Sequence, residues 1–191
     1  MPAGPDEVRR AVLDSAAELF ARDGVGQVTL RDVASAANVN LALISRYVGT
    51  RDELIEAVLA DLTDQLVVEI RDDPTGAKGF EVDSVMGRWT RVLTHLVLVA
   101  PGTAGRIGAP PVEEMISIVQ RLYDQSEGAA RLRVAQVLAS ALGWRLFEPY
   151  LLAAAGLADQ PVDDVRDELT RAHRRLAATP LPSPPDPQLR G

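Results

Sequence analysis

A chain of 191 residues with no cysteine cannot build disulfides, thiolate metal sites or a cysteine nucleophile. Its 47% apolar content is that of a globular protein and suffices for a hydrophobic core in one or two small domains. Twenty basic against 27 acidic side chains leave a formal net charge of −7, which excludes a uniformly basic surface.

The first ten residues, MPAGPDEVRR, lack the apolar centre of a signal peptide, and residues 1–5 read as a frayed leader. The longest apolar runs, around Val92 to Ala100 and Val134 to Trp144, are interrupted by polar residues. A soluble, cytoplasmic protein without a membrane span is expected. A first helix is predicted from Asp6 to about Arg22, apolar at Val8, Ala11, Val12, Ala16, Leu19 and Phe20 and ended by Gly24.

The stretch TLRDVASAANVNLALISRYVGTR, Thr29 to Arg51, divides into two short helices. Thr29 is a good N-cap, and Asp32 can reach back to it as in a capping box. That helix runs to Ala37, where Asn38 suits the left-handed conformation of a tight turn. Asn40 caps a second helix from Leu41 to about Val48, and Gly49 stops it. Two such helices joined by about three residues form a helix-turn-helix, whose second helix enters the major groove of DNA.

The faces of this unit can be sorted by spacing. Val33, Ala37, Val39, Ile44 and Val48 are placed to face inward, which leaves Asn40, Leu41, Ala42, Leu43, Arg46 and Tyr47 outward. A guanidinium can take a guanine edge or a phosphate, and a phenol can donate to a phosphate. An ordinary helical hairpin explains Arg46 and Tyr47 singly, but explains less well why Leu41 and Leu43 stand beside them. Residues 1–51 hold six arginines and six acids, so the acidic excess lies elsewhere and Arg31, Arg46 and Arg51 can gather on one face.

Thr50 caps a third helix, Arg51 to about Arg71, striped with Leu54, Ile55, Val58, Leu59, Leu62, Leu66 and Ile70. No linker separates it from the preceding unit, so the join should be rigid. Asp72 to Phe80 reads as a loop, and Val82 to Ala100 as a helix apolar nearly all round, hence central and buried. A Gly/Pro-rich loop follows from Pro101 to Pro111, with one short helical turn at Arg106-Ile107. A helix then runs from Pro111 to about Tyr123, striped with Val112, Met115, Ile116, Val119 and Leu122. Ala129 opens a long apolar helix that Pro149 should kink or break near Glu148 and Gly156 should close. The last helix spans about Val162 to Ala177, and residues 179–191 form a disordered, Pro-rich tail.

Residues 9–59, AAELFARDGVGQVTLRDVASAANVNLALISRYVGTRDELIEAVL at their centre, resemble the N-terminal domain of TetR-type transcriptional repressors. The resemblance lies in the order of a helix, Gly24, a Thr-capped helix, an Ala-rich turn, a helix ending in Tyr47, and then Gly-Thr-Arg-Asp-Glu-Leu. It implies phosphate contacts from Thr29, Tyr47 and Arg51, and contacts to base edges or nearby phosphates from Asn40, Leu41, Ala42, Leu43 and Arg46. Leu41 and Leu43 depart from the polar residues frequent there, and thymine methyls suit them better than hydrogen bonds.

The same resemblance implies an all-α chain with residues 1–50 as the helix-turn-helix domain and 51–178 as a ligand-binding and dimerisation bundle. It implies a homodimer through the last two long helices, about 129–155 and 161–177, bound to a double-stranded DNA operator. It also implies a pocket for a small, largely apolar effector, with Met86, Trp89, His95, Met115, Tyr123, Trp144 and Phe147 as candidates. Taken one at a time, these side chains are ordinary core material, and His95 reads as a hydrogen-bonded core residue. His173, on a charged helix, reads as solvated. With two histidines, no cysteine and no phosphate loop, no catalytic, metal or cofactor site is expected. A helical small-molecule-binding or interaction protein with weakened DNA contacts remains the alternative.

Overall fold

The computed structural model describes residues 4–74, 84–99 and 109–181. Among the described residues there are eight α-helices and no strand. They are α1 (Pro5–Asp23), α2 (Leu30–Ala36), α3 (Leu41–Tyr47) and α4 (Arg51–Asp72), followed by α5 (Val85–Val99), α6 (Pro110–Tyr123), α7 (Glu127–Ala154) and α8 (Val162–Ala178). The proposed turn at Arg106-Ile107 and most of the Asp72–Phe80 loop lie outside the described residues.

Local chemistry sets the helix ends. Pro5 stands at the first position of α1, where its missing N–H is no loss, so the helix starts inside the expected leader. Thr29 and Asp32 complete a capping box on α2, and Thr50 and Glu53 complete another on α4. Asn38 takes φ 52°, as the turn between α2 and α3 requires. Gly49 takes φ 111°, and a Cβ there would come within 2.2 Å of the Glu53 carboxylate that caps α4.

One hydrophobic core runs through α1 to α5 without a break. Phe20, Val12, Val33, Ile44, Leu54, Val58, Leu62, Leu66 and Val92 are among its fully buried members. Helix α4 joins the two ends of the molecule: it packs on α1 at its start and on α5 and α6 further along. At 22 residues it is about 33 Å long. A smaller cluster of Ile116, Val119, Ala130 and Val134 holds α6 to α7, and Met115 touches both clusters.

Three sequence expectations change. Helix α5 is buried on one side only: Trp89, Thr90, Val92 and Leu96 face the core, whereas Val97 and Leu98 are exposed, Leu98 by 75%. Apolar periodicity measures what a face could bury, not how many neighbours arrive to cover it. Of the kink or break expected at Pro149, the break does not occur: α7 continues to Ala154. Only one backbone donor is lost there, and Glu148 is held on both sides, by Trp144 Nε1 at 2.8 Å and by Arg166 at 2.7 and 2.9 Å. Finally, Thr179 and Pro180 are held rather than loose, because the buried Arg133 donates to their carbonyl oxygens at 2.7 and 3.0 Å.

No described helix is long and apolar enough to cross a membrane. Among the described residues no group of three His, Asp or Glu side chains could hold a metal ion.

Candidate nucleic-acid interface and body cavity

Helix α3 is seven residues long and has one buried side chain, Ile44, with no exposed area. Asn40 caps it, its side chain accepting from Ala42 N at 2.9 Å. With Ile44 fixed inward, Asn40, Leu41, Ala42, Ser45 and Arg46 are exposed. Leu43 is not among them: it is half-buried and packs against the core, as do Tyr47 and Val48. The outward assignments of Leu43 and Tyr47 are corrected: both are half-buried with their side chains packed against the main core. Ser45, not singled out in the sequence, is exposed instead. It lies four residues after Leu41, on the same side of the helix.

The polar ends of this face come from several elements. The Arg46 guanidinium lies 5.4 Å from the centre of the Tyr47 ring, a cation–π arrangement that orients both. Arg9, exposed on α1, donates to the Tyr47 carbonyl at 3.3 Å and adds a cation that sequence spacing could not place here. Thr29 is exposed with its hydroxyl 2.6 Å from Asp32, and Arg31 beside it is exposed as well. Asp32 is thereby held below the usual carboxylate range.

Arg51 is differently employed. Its guanidinium donates to the carbonyls of Val25 at 2.6 Å and Val28 at 3.4 Å, so it closes the turn between α1 and α2. His95, from α5, stands on the other side of that turn. Its Cε1 lies 3.8 Å from where a Cβ on Gly26 would sit. Burial, then the nearby Arg51 charge, lowers its pKa below the ordinary 6.5. Another α5 residue, Arg91, donates to the Ala21 carbonyl at the end of α1. Helix α5 is thus bonded to the unit that carries α3.

In the body, a cavity of about 220 Å³ lies between the end of α4, the start of α5, and α6, α7 and α8. Met86, Met115 and Tyr123 line it. The other four pocket candidates lie elsewhere. Trp89 is buried with its Nε1 donating to Thr63 at 3.0 Å, and Trp144 is tied to Glu148. His95 abuts Gly26, and Phe147 is 57% exposed on the outside of α7.

His173, expected in solvent, lines the cavity instead, with Nε2 2.9 Å from Ser140 Oγ. Helix α8 is polar by composition, but its packing on α6 and α7 turns Thr170, His173, Arg174 and Ala177 toward the cavity. Burial lowers the pKa of His173 below 6.5. For both histidines the folded state binds fewer protons than the unfolded one, so their contribution is complete above pH 6.5 and lost as pH falls below it. The melting temperature should therefore be lower at about pH 5.5 than at about pH 7.5, and replacing both histidines with glutamine should narrow that gap.

Comparison with known proteins accords with the geometry. Residues 12–58 match the family described as bacterial regulatory proteins, tetR family. The chain is 35% identical over 177 residues to the HTH-type transcriptional repressor Rv3405c of Mycobacterium tuberculosis, covering 92% of each chain. It is 39% identical over 62 residues, 32% of each chain, to the HTH-type nicotine-responsive transcriptional repressor HdnoR of Paenarthrobacter nicotinovorans. The crystal structure of the multidrug binding protein EbrR, complexed with imidazole, shares its fold, with a TM-score of 0.56 at 19% identity over 93% of this chain and 98% of that one. With its capped α2–α3 unit, its exposed α3 face and full-length similarity to such regulators, the chain belongs to the TetR family of DNA-binding, helix-turn-helix transcriptional regulators.

Proposed function

We propose that the protein is a repressor that binds a palindromic operator as a homodimer and is released by a small, largely apolar effector. The observation that carries the reading is the exposed α3 face: Asn40, Leu41, Ala42, Ser45 and Arg46 project from a short, capped helix anchored by Ile44. Residues 1–50 serve as the reading head and 51–178 as the effector-binding, dimerising body, with α4 as the shared strut. The repressor named among the 35%-identical relatives supports the direction of control.

Helix α7 supports the dimer. Leu132, Leu146, Phe147 and Tyr150 are all exposed and fall on one side of it, with Ala135, Ala139 and Gly143 between them. A Cβ on Gly143 would meet nothing within 4 Å, so the small residues leave room for a second backbone to come close. Two heads held this way would address half-sites one DNA turn apart, roughly 34–36 Å. Effector binding would favour a body arrangement with a different head spacing, and operator affinity would fall by the difference in effector affinity between the two states.

The test is binding of the full chain to duplexes from the region upstream of its own gene, followed by fluorescence anisotropy. Arg46→Ala should cost about 10- to 100-fold at the base pair it reads and relax preference there. Arg51→Ala should weaken all duplexes alike and lower the melting temperature, because the Val25 and Val28 carbonyls lose their donor. Equal loss of specificity in both variants, or none in either, would overturn the assignment of the α3 face.

A further inference from the structure

We infer that the protein selects its operator half-site by the C5-methyl group of a thymine, packed against Leu41 on the first turn of α3. The inference rests on the α3 face as the DNA-reading surface, and it names the base chemistry that this face fits.

What the exposed residues can offer a base edge sets the limit. The first residues of a recognition helix are those that meet base edges in the major groove. Here they are Asn40, the cap, and then Leu41 and Ala42. Asn40 turns its amide to the helix itself, Oδ1 accepting from Ala42 N at 2.9 Å. An asparagine grips adenine with both amide groups at once, and an amide turned back to cap its own helix is not placed to do so. Leu41 and Ala42 are exposed and carry only alkyl groups. Ser45 is exposed as well, but a hydroxyl suits several base edges alike and selects little.

Of the groups that base pairs show in the major groove, only the thymine methyl is apolar. Leu41 packed on it buries alkyl against alkyl. Against guanine O6 or the amino groups of adenine and cytosine, the same side chain would strip water from a polar group and return no hydrogen bond. Ile44, three residues on, has no exposed area, so α3 is not free to roll and present a polar side chain in place of Leu41. Arg46, the charged reader, stands five residues after Leu41 with its guanidinium over the Tyr47 ring. That spacing is about 7.5 Å along a helix, more than one base-pair step, so the alkyl and the cationic reader address different base pairs.

Selection from a randomised duplex pool by the full chain supplies the test sequence, and every recovered half-site should share a thymine. Each thymine is then replaced by deoxyuridine, which keeps the pairing and removes only the methyl. At the position facing Leu41, anisotropy should show affinity lower by about fourfold per half-site, the effect of one buried apolar carbon. Leu41→Ala should lose at least as much on the thymine duplex, and should tell the two duplexes apart by less than about twofold. Arg46→Ala should weaken both duplexes and keep the methyl effect. A uracil duplex that binds the unmutated chain undiminished would overturn the inference. So would an equal methyl effect in Leu41→Ala, which would assign the methyl to DNA shape. A pool that yields no common sequence, or half-sites without thymine, would overturn it too. A Leu41-dependent methyl effect on single rather than paired half-sites would uphold it and overturn the dimer reading instead.

Discussion

Phe147→Glu should convert the proposed dimer to monomers and lower operator affinity by at least about 100-fold, the loss expected when two linked heads become two independent ones. Phe147 is 57% exposed and makes no part of either core cluster, so the substitution should leave each protomer folded. In the dimer it would place a carboxylate inside an apolar contact, next to Leu146 and Tyr150, where it has no partner and cannot keep its water. Light scattering after size exclusion reads the mass, and anisotropy reads the affinity. A dimer that persists with undiminished operator binding would move the subunit contact away from this side of α7.

Ile44→Ala should destabilise the chain by about 3 kcal/mol, within the range for emptying a fully buried aliphatic site. Ile44 has no exposed area and is the single buried side chain of a seven-residue helix, so no neighbour on α3 can replace its contacts. Its core continues through α4 into α5, so the loss should appear as one cooperative transition at lower temperature, a shift of about 6–12 °C for a chain of this size. Leu41→Ala provides the contrast. Leu41 lies three residues earlier on the same helix but is 37% exposed, and the same chemical truncation there should cost under about 0.5 kcal/mol. Thermal melts by circular dichroism separate the two, and equal shifts would overturn the inward–outward assignment of α3.

Local signals read well from the sequence wherever a residue's role depends on neighbours three or four positions away. The Thr29 cap, the left-handed Asn38, the Asn40 cap and the Gly49 stop all depend on backbone groups within one helical turn, and each is found where its chemistry places it. The stripe on α4 from Leu54 to Ile70 is buried as its spacing implies. The errors arise where burial depends on an element distant in the chain. Leu43 and Tyr47 are half-buried because a core built by several helices reaches them, and Val97 and Leu98 stay exposed because no described neighbour covers that side of α5.

The candidate site divides in the same way. A helix-turn-helix with Asn40, Leu41, Ala42 and Arg46 outward follows from period and capping alone, and Ser45 could have been added from its i,i+4 relation to Leu41. Arg9 could not, because 38 residues separate it from the Tyr47 carbonyl it meets. Neither could the inward tie of Arg51, whose partners are carbonyls with no sequence signature.

The order of residues by itself determined an all-helical chain of the TetR type, because caps, turns and apolar periods are encoded within a few positions. Only the tertiary structure decided which bulky side chains surround a cavity and which fill the core. It brought His173 in and left Trp89, Trp144, Phe147 and His95 out. The reason is geometric: a cavity is the space five helices fail to fill between them, and no single helix carries a record of it.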